Sequence, residues 1–147
     1  MNTENAIQGR CLCGAVTISA ILEKTGLTAC HCDMCRQHTS SFFVGLSPVQ
    51  SSLKIDGPAK SFRSSEWAER GFCSECGSTL WYGTVHDGAR YLAAGLFDNA
   101  AGGEVAVEYY IDKCPVGYGV TGEHKRMTEE ETVAFFMQFA PEDNLNG

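Results

Sequence analysis

Apolar and polar side chains alternate in short runs along most of this chain, and Gly, Ser and Asp interrupt the runs every few residues, a rhythm that predicts strands. The runs lie at 15–20 (AVTISA), 41–46 (SFFVGL), 53–56, 61–63, 79–82, 91–94 and 105–111. AVTISA alternates cleanly, so one of its faces is expected in a core and the other in water. VAVEYYI alternates less cleanly but carries the branched and aromatic residues that suit a pleated surface.

One helix is predicted near the C-terminus, at about 129–140, where Thr128 stands three residues before Glu131 ahead of an apolar run, the spacing of a capping box. Val133, Phe136 and Met137 recur at helical intervals with Phe139 and Ala140 close behind, which predicts an apolar face laid on the domain rather than offered to a partner. Shorter helical turns are expected just after the CHCDMC stretch at 30–35 and around 65–70. No repeat, low-complexity segment or long linker divides the chain. Its 147 residues therefore read as one mostly β domain with a C-terminal helix.

Charge and composition remove several function classes. The net charge is −7 and the eleven basic residues are scattered, with HKR at 124–126 the densest cluster. Nucleic acid is a poor partner for such a surface, because phosphate binding draws most of its affinity from clustered Lys and Arg. No apolar run approaches the ~20 residues needed to cross a bilayer. The opening MNTENAIQGR lacks the basic flank and apolar centre of a secretory signal, so no membrane association is expected and the cytosol is the expected location. In a reducing compartment, eight cysteines point to metal ligation before disulfides.

The cysteines fall into three groups and a singleton. Cys11 and Cys13 form C-x-C, Cys30, Cys32 and Cys35 form C-x-C-x-x-C, Cys73 and Cys76 form C-x-x-C, and Cys114 stands alone. A tetrahedral zinc site wants four soft ligands, commonly two close pairs brought together by the fold, and 11/13 with 73/76 meet that need by themselves. In FCSECG the glycine after Cys76 permits the tight turn that aims amide N–H groups at thiolate sulfurs. A redox dithiol would need a long helix after the motif, whereas WYGT reads as a strand. The quartet is expected to clamp an N-terminal hairpin to a distant segment as structural zinc.

CHCDMC then has three cysteines of its own. His31 is a poor fourth ligand, because neighbours on an extended segment point to opposite sides and it should face away from a metal held by Cys30 and Cys32. Cys114, before Pro115, reads as a small buried hydrophobe. A three-cysteine site without a protein fourth ligand follows, the pattern that marks catalytic rather than structural zinc. His31, Asp33 and His38 are candidate proton shuttles beside it, Arg36 is a candidate partner for a substrate carboxylate, and Trp67 and Trp81 read as core or pocket-wall aromatics.

Taken in order and spacing, GRCLCGAV, CHCDMCRQHTSSFF, FRSSEWAERGFCSECGSTLWY and AAGLFDN resemble the glutathione-dependent formaldehyde-activating enzyme family, also called the GFA or CENP-V family, from about Gly9 to Met127. The resemblance implies a β-tent fold of small antiparallel sheets and two zinc ions per chain. Cys11, Cys13, Cys73 and Cys76 would hold the structural ion, and Cys30, Cys32 and Cys35 the catalytic-type one. It implies a carbon–sulfur lyase run in the synthetic direction, joining formaldehyde to glutathione, and so a small thiol and a small aldehyde as partners. It also draws attention to Ser64, Ser65 and Arg70, with Ser65 a candidate substrate contact and Arg70 a candidate brace for the metal loop through backbone carbonyls.

Two departures from the family pattern lie where a pocket wall would be. Thr39-Ser40-Ser41 stands where relatives often have a glycine after the threonine, and Val116-Gly117-Tyr118 stands where a tryptophan is common. The same scaffold also admits two readings from other classes. One is a binding module with both zinc ions structural, and the other a thiol or metal sensor built on Cys30, Cys32 and Cys35.

Overall fold

The computed structural model describes residues 5–138. Eleven strands and two helices make up its regular structure, in the mostly β arrangement that the alternation predicts: β1 (Ala6–Arg10), β2 (Thr17–Ile21), β3 (Leu27–Cys30), α1 (Asp33–Thr39), β4 (Phe43–Leu46), β5 (Lys54–Asp56), β6 (Ala59–Arg63), β7 (Ala68–Cys73), β8 (Thr79–Thr84), β9 (Arg90–Ala93), β10 (Val105–Tyr109), β11 (Lys125–Arg126) and α2 (Glu129–Met137).

Two sheets organise them. The smaller has the order β1-β2-β5 and is antiparallel throughout. The larger runs β11-β10-β3-β4-β9-β8-β7-β6, antiparallel except where β10 lies parallel to both β3 and β11. In β2, Ile18 and Ala20 are buried while Thr17 is exposed, so the alternation read from AVTISA is realised. Val16, Ile18, Leu46, Leu80, Trp81, Leu92 and Phe97 fill the core between the sheets, and Cys11 and Cys73 are buried in the same cluster.

Close packing on this core fixes Gly71, in β7 opposite Trp81. A Cβ there would lie 2.2 Å from two atoms of the indole, so only glycine lets the ring cover the strand.

Three expectations need correction. The turn around 65–70 is not helical: Ser64 and Ser65 both donate their backbone N–H to the Ala68 carbonyl, and the chain turns directly into β7. The Ser65 hydroxyl accepts the Ala68 N–H at 3.2 Å, and that local bond closes the turn before a helix can start. Trp67 is 39% exposed and belongs to no core, unlike Trp81.

The third concerns α2. Its capping box forms as predicted, with Thr128 and Glu131 satisfying each other's backbone N–H groups. Its expected apolar face is not buried: Val133, Phe136 and Met137 stay at least 39% exposed, while Thr132 is buried. The cause is a backbone need elsewhere. Tyr110 takes the left-handed conformation (φ 57°), and its N–H finds the Thr132 hydroxyl at 3.3 Å. Phe136 still meets the Tyr109 ring edge-on at 5.1 Å. Phe139 and Ala140 lie outside the described residues. No described helix is long and apolar enough to cross a membrane.

Candidate functional site

Two turns build the first cysteine cluster. Between β1 and β2 the chain reads Cys11-Leu12-Cys13-Gly14, and between β7 and β8 it reads Cys73 to Gly77. Each turn closes on a glycine at positive φ (81° at Gly14, 80° at Gly77), whose N–H donates to the carbonyl of the turn's first cysteine. No side chain crowds either glycine, so it is the left-handed backbone that selects the residue. The Ser78 hydroxyl ties the turns together, accepting the Leu12 N–H at 3.0 Å and lying 3.1 Å from the Cys76 sulfur.

The four sulfurs converge. Cys11 and Cys13 lie 3.6 Å apart, Cys13 and Cys73 3.8 Å apart, and all four donors fall within 4.8 Å of one another. Thiolates held tetrahedrally about 2.3 Å from a zinc ion stand about 3.8 Å apart, so this donor set fits such an ion. Backbone N–H groups of Val16, Glu75 and Cys76 point at the Cys11 and Cys73 sulfurs, as they do where a fold stabilises thiolates. Hydrogen bonds from Ser78 and backbone amides draw the Cys76 thiol down to about 5.

The second cluster comes from one uninterrupted piece of chain. Cys30 ends β3, Cys32 is the N-cap of α1 and takes the Cys35 N–H at 3.4 Å, and Cys35 is buried in the first turn of that helix. Their sulfurs again lie within 4.8 Å of one another, and among the described residues no fourth His, Cys, Asp or Glu donor joins them. Cys114 is elsewhere, half-buried, with its thiol turned to the carbonyls of Pro115 and Tyr118.

Crowding three thiols forces their protonation apart. Contacts from the Cys30 and Cys35 sulfurs hold Cys32 as thiolate, drawn down to about 2, while Cys30 is pushed strongly up by Cys32 and Cys35. Three thiolates together require a cation, so the donor chemistry fits a thiophilic metal here as well.

The side chains around this loop have distinct surroundings. His31 faces away from the sulfurs and is fully buried, with Nε2 2.7 Å from the Glu108 carboxylate and the ring 4.9 Å from Phe42. Glu108 is a buried hub: it also binds His124 at 2.6 Å, the Arg126 Nε–H at 3.1 Å and the Val120 N–H at 3.3 Å. Burial would raise its carboxyl, but the hydrogen bonds from His124, His31 and Val120 win and hold it below the ordinary range. Asp33 is exposed and paired with Arg36, whose Nε–H donates to the His31 carbonyl at 3.2 Å. His38 is half-buried on α1, its Nδ1 enclosed without a partner, and burial followed by the nearby Arg70 charge lowers its pKa.

Arg70 reaches this cluster from β7. Its guanidinium is buried, donates to the Cys35 sulfur at 3.2 Å and to the Ser64 hydroxyl at 3.4 Å, and lies 4.7 Å from the centre of the Tyr82 ring. The brace is therefore to a sulfur rather than to backbone carbonyls. Ser64, not Ser65, is the serine that touches it.

Tyr82, Tyr109, Tyr110 and Glu108 escape a reading based on motifs. The three phenols are held protonated first by burial and then by thiolates of the cluster, Tyr110 to about 12. One signal for Glu108 was present, a carboxylate in the otherwise apolar and aromatic run VAVEYYI. At the two departures from the family pattern, Ser40 caps α1 in the left-handed region (φ 73°), and the Tyr118 ring lies tilted 6.5 Å from Phe42, with Val116 fully exposed nearby.

Comparison with known proteins agrees with this geometry. The chain is 32% identical over 128 residues to a Schizosaccharomyces pombe protein named an uncharacterized lyase, covering 86% of this chain and 93% of the relative. A crystal structure of a Rhodobacter sphaeroides protein shares the fold with a TM-score of 0.54 at 18% identity, over 83% of this chain and 100% of that one. The sequence profile described as glutathione-dependent formaldehyde-activating enzyme matches residues 6–113, the span that contains both cysteine clusters. The chain belongs to the glutathione-dependent formaldehyde-activating enzyme family.

Proposed function

We propose that this protein is a zinc-dependent carbon–sulfur lyase that works in the synthetic direction, adding a glutathione-type thiol to formaldehyde or another small aldehyde. The observation that carries the reading is the convergence of three sulfurs from Cys30, Cys32 and Cys35 with no fourth protein donor among the described residues. Family membership and the lyase name of the S. pombe relative support the reaction class.

Cys30, Cys32 and Cys35 would hold the catalytic-type zinc, and Cys11, Cys13, Cys73 and Cys76 the structural one. When bound at the three-cysteine site, zinc supplies a position where a thiol ionises near neutral pH. The rest is work for side chains. In the reaction the thiol loses its proton, sulfur attacks the carbonyl carbon, the C–S bond forms as the C=O π bond opens, and the oxygen takes up a proton.

We assign the proton transfer to His38, which stands half-buried on α1, the helix that carries Cys35, and which burial keeps neutral. His31 is sealed from solvent against Glu108 and anchors the loop instead. Tyr82, Tyr109 and Tyr110, protonated at neutral pH, would wall the aldehyde side without competing as nucleophiles. Arg36 lies partly exposed beside the loop, and a substrate carboxylate could replace exposed Asp33 on its guanidinium. Ser65 has its hydroxyl committed to the Ala68 N–H, so it would shape the rim through that turn.

The test is thiol-dependent consumption of formaldehyde by the zinc-loaded protein, followed beside a Cys32→Ser variant. Turnover in the wild type and its loss in the variant are expected. Undiminished turnover in Cys32→Ser would end this reading.

A further inference from the structure

Arg70 has an environment unusual for a guanidinium. It is 3% exposed, yet no carboxylate among the described residues pairs with it. Its contacts are the Cys35 sulfur at 3.2 Å, the Ser64 hydroxyl at 3.4 Å and the face of Tyr82. A buried cation without an anion is strongly disfavoured, and the one group beside it that can carry negative charge is the cysteine cluster. The contact is also built in from a distance: β7 brings Arg70 to a residue thirty-five positions earlier in the chain.

From this we infer that Arg70 is a positioning residue whose fixed positive charge tunes the Cys30, Cys32 and Cys35 site to hold a divalent metal and, with it, one further anionic sulfur ligand. Three thiolates and a dication carry one net negative charge. Arg70 cancels it, so an incoming thiolate meets a neutral site rather than an anionic one. The N–H···S bond also withdraws electron density from Cys35 and fixes its direction, the two ways in which an outer partner controls a metal ligand. The part concerning the incoming thiolate rests on the lyase reading; the part concerning metal retention does not.

The experiment uses cobalt(II) as the probe, titrated into the full-length protein after a mild chelator has removed only the metal of the three-cysteine site, and followed by thiolate-to-cobalt absorption, with Cys30→Ser as the blank for binding elsewhere. Arg70→Gln is expected to weaken cobalt binding at the three-cysteine site by about 10–100-fold and to leave the four-cysteine site unchanged. Arg70→Lys, which keeps the charge but not the fork, should recover part of that loss. Glutathione added to the cobalt-loaded protein should alter the spectrum at a higher concentration in Arg70→Gln than in the wild type.

Cobalt affinity in Arg70→Gln within about twofold of the wild type overturns the inference. If that variant fails to retain the four-cysteine metal and so fails to fold, Ser64→Ala, which only loosens the guanidinium's seat, serves in its place. A severalfold weakening confined to the second site supports the role, and no change overturns it. Weakened cobalt binding in a protein whose wild type consumes no aldehyde leaves Arg70's role standing and removes the lyase reading. Aldehyde turnover with unchanged cobalt binding in Arg70→Gln does the reverse.

Discussion

The two cysteine clusters use the same chemistry for opposite structural ends. The first draws sulfurs from turns sixty residues apart in the chain and joins the small sheet to the large one, with every ligand position filled by the protein. The second takes three sulfurs from a six-residue loop, closes no long-range connection through them, and relies on Arg70 and Glu108 to bring the rest of the domain to it. A metal at the first site would be part of the fold. A metal at the second would be held by a loop that the fold has already made, which would leave it free to exchange a ligand.

The largest test of this contrast is a pair of serine substitutions. Cys73→Ser should destabilise the domain by on the order of 5 kcal/mol or more, because metal-binding free energy at that site is folding free energy. Cys32→Ser should cost less than about 1 kcal/mol, since serine is a good N-cap and α1 keeps its start. Urea unfolding of both variants with zinc present measures the difference. Equal losses would break the distinction. A chelator titration sharpens it further: one metal per chain should leave early while the fold persists, and the second should leave only with unfolding.

Next in size is Glu108, which holds the second cluster's loop through His31 and has no contact with the first cluster. Glu108→Gln leaves His31 and His124 without their buried carboxylate, and about 3 kcal/mol of stability should go with it at neutral pH. The folded carboxyl sits below its unfolded value. Its stabilisation is therefore complete above the unfolded pKa and is lost as pH falls through the folded one. The gap between wild type and variant should close in acid, and an unfolding series at stepped pH would show it. A gap that stays constant down to the lowest pH would mean that Glu108 stabilises by shape rather than by charge.

Gly71 lies between the clusters on β7, one residue after Arg70 and two before Cys73, so it touches both sides of the comparison. Gly71→Ala drives a methyl into Trp81 and should cost about 1–3 kcal/mol. Because the strand must shift, metal affinity should fall at both sites. A fall at one site only would show that β7 transmits strain in a single direction.

How much of this was legible in the sequence differs between the clusters in the same way. Both sets of cysteines could be grouped from spacing, and Gly77 announced its turn, because ligand motifs are local and chemically unmistakable. AVTISA showed its buried face for the same local reason. What brings distant residues to the second loop left little trace. Glu108 sits mid-strand as one carboxylate, Arg70 lies in a stretch that reads as a helical turn, β3 alternates but over only four residues, and β7 breaks its alternation where Arg70 and Gly71 are both buried. The apolar residues of α2 misled for a related cause: its docking is set by a backbone N–H of Tyr110 that seeks an oxygen, a demand that arises only once β10 has ended in a left-handed residue.

The smallest predicted effect lies at Ser40 and concerns how firmly the second loop is held. Ser40 closes α1 at φ 73° with its N–H on the Arg36 carbonyl at 2.7 Å, a conformation that a Cβ disfavours and glycine adopts freely. Ser40→Gly should relieve that strain and stabilise the protein by about 0.5–1 kcal/mol, an upper bound because glycine also loosens the unfolded chain. Thr39 already secures the preceding turn through the Cys35 and Ser41 carbonyls, so the cap geometry should survive the change. Cys35 belongs to this helix, and a better-closed α1 should hold its sulfur more steadily. Zinc at the second site should therefore resist a chelator longer in Ser40→Gly, while the first site, far from α1 in the chain and tied by its own glycines, should not respond. A stability gain without slower zinc release would mean that Cys35 is fixed by Arg70 and the N-terminal end of α1 alone.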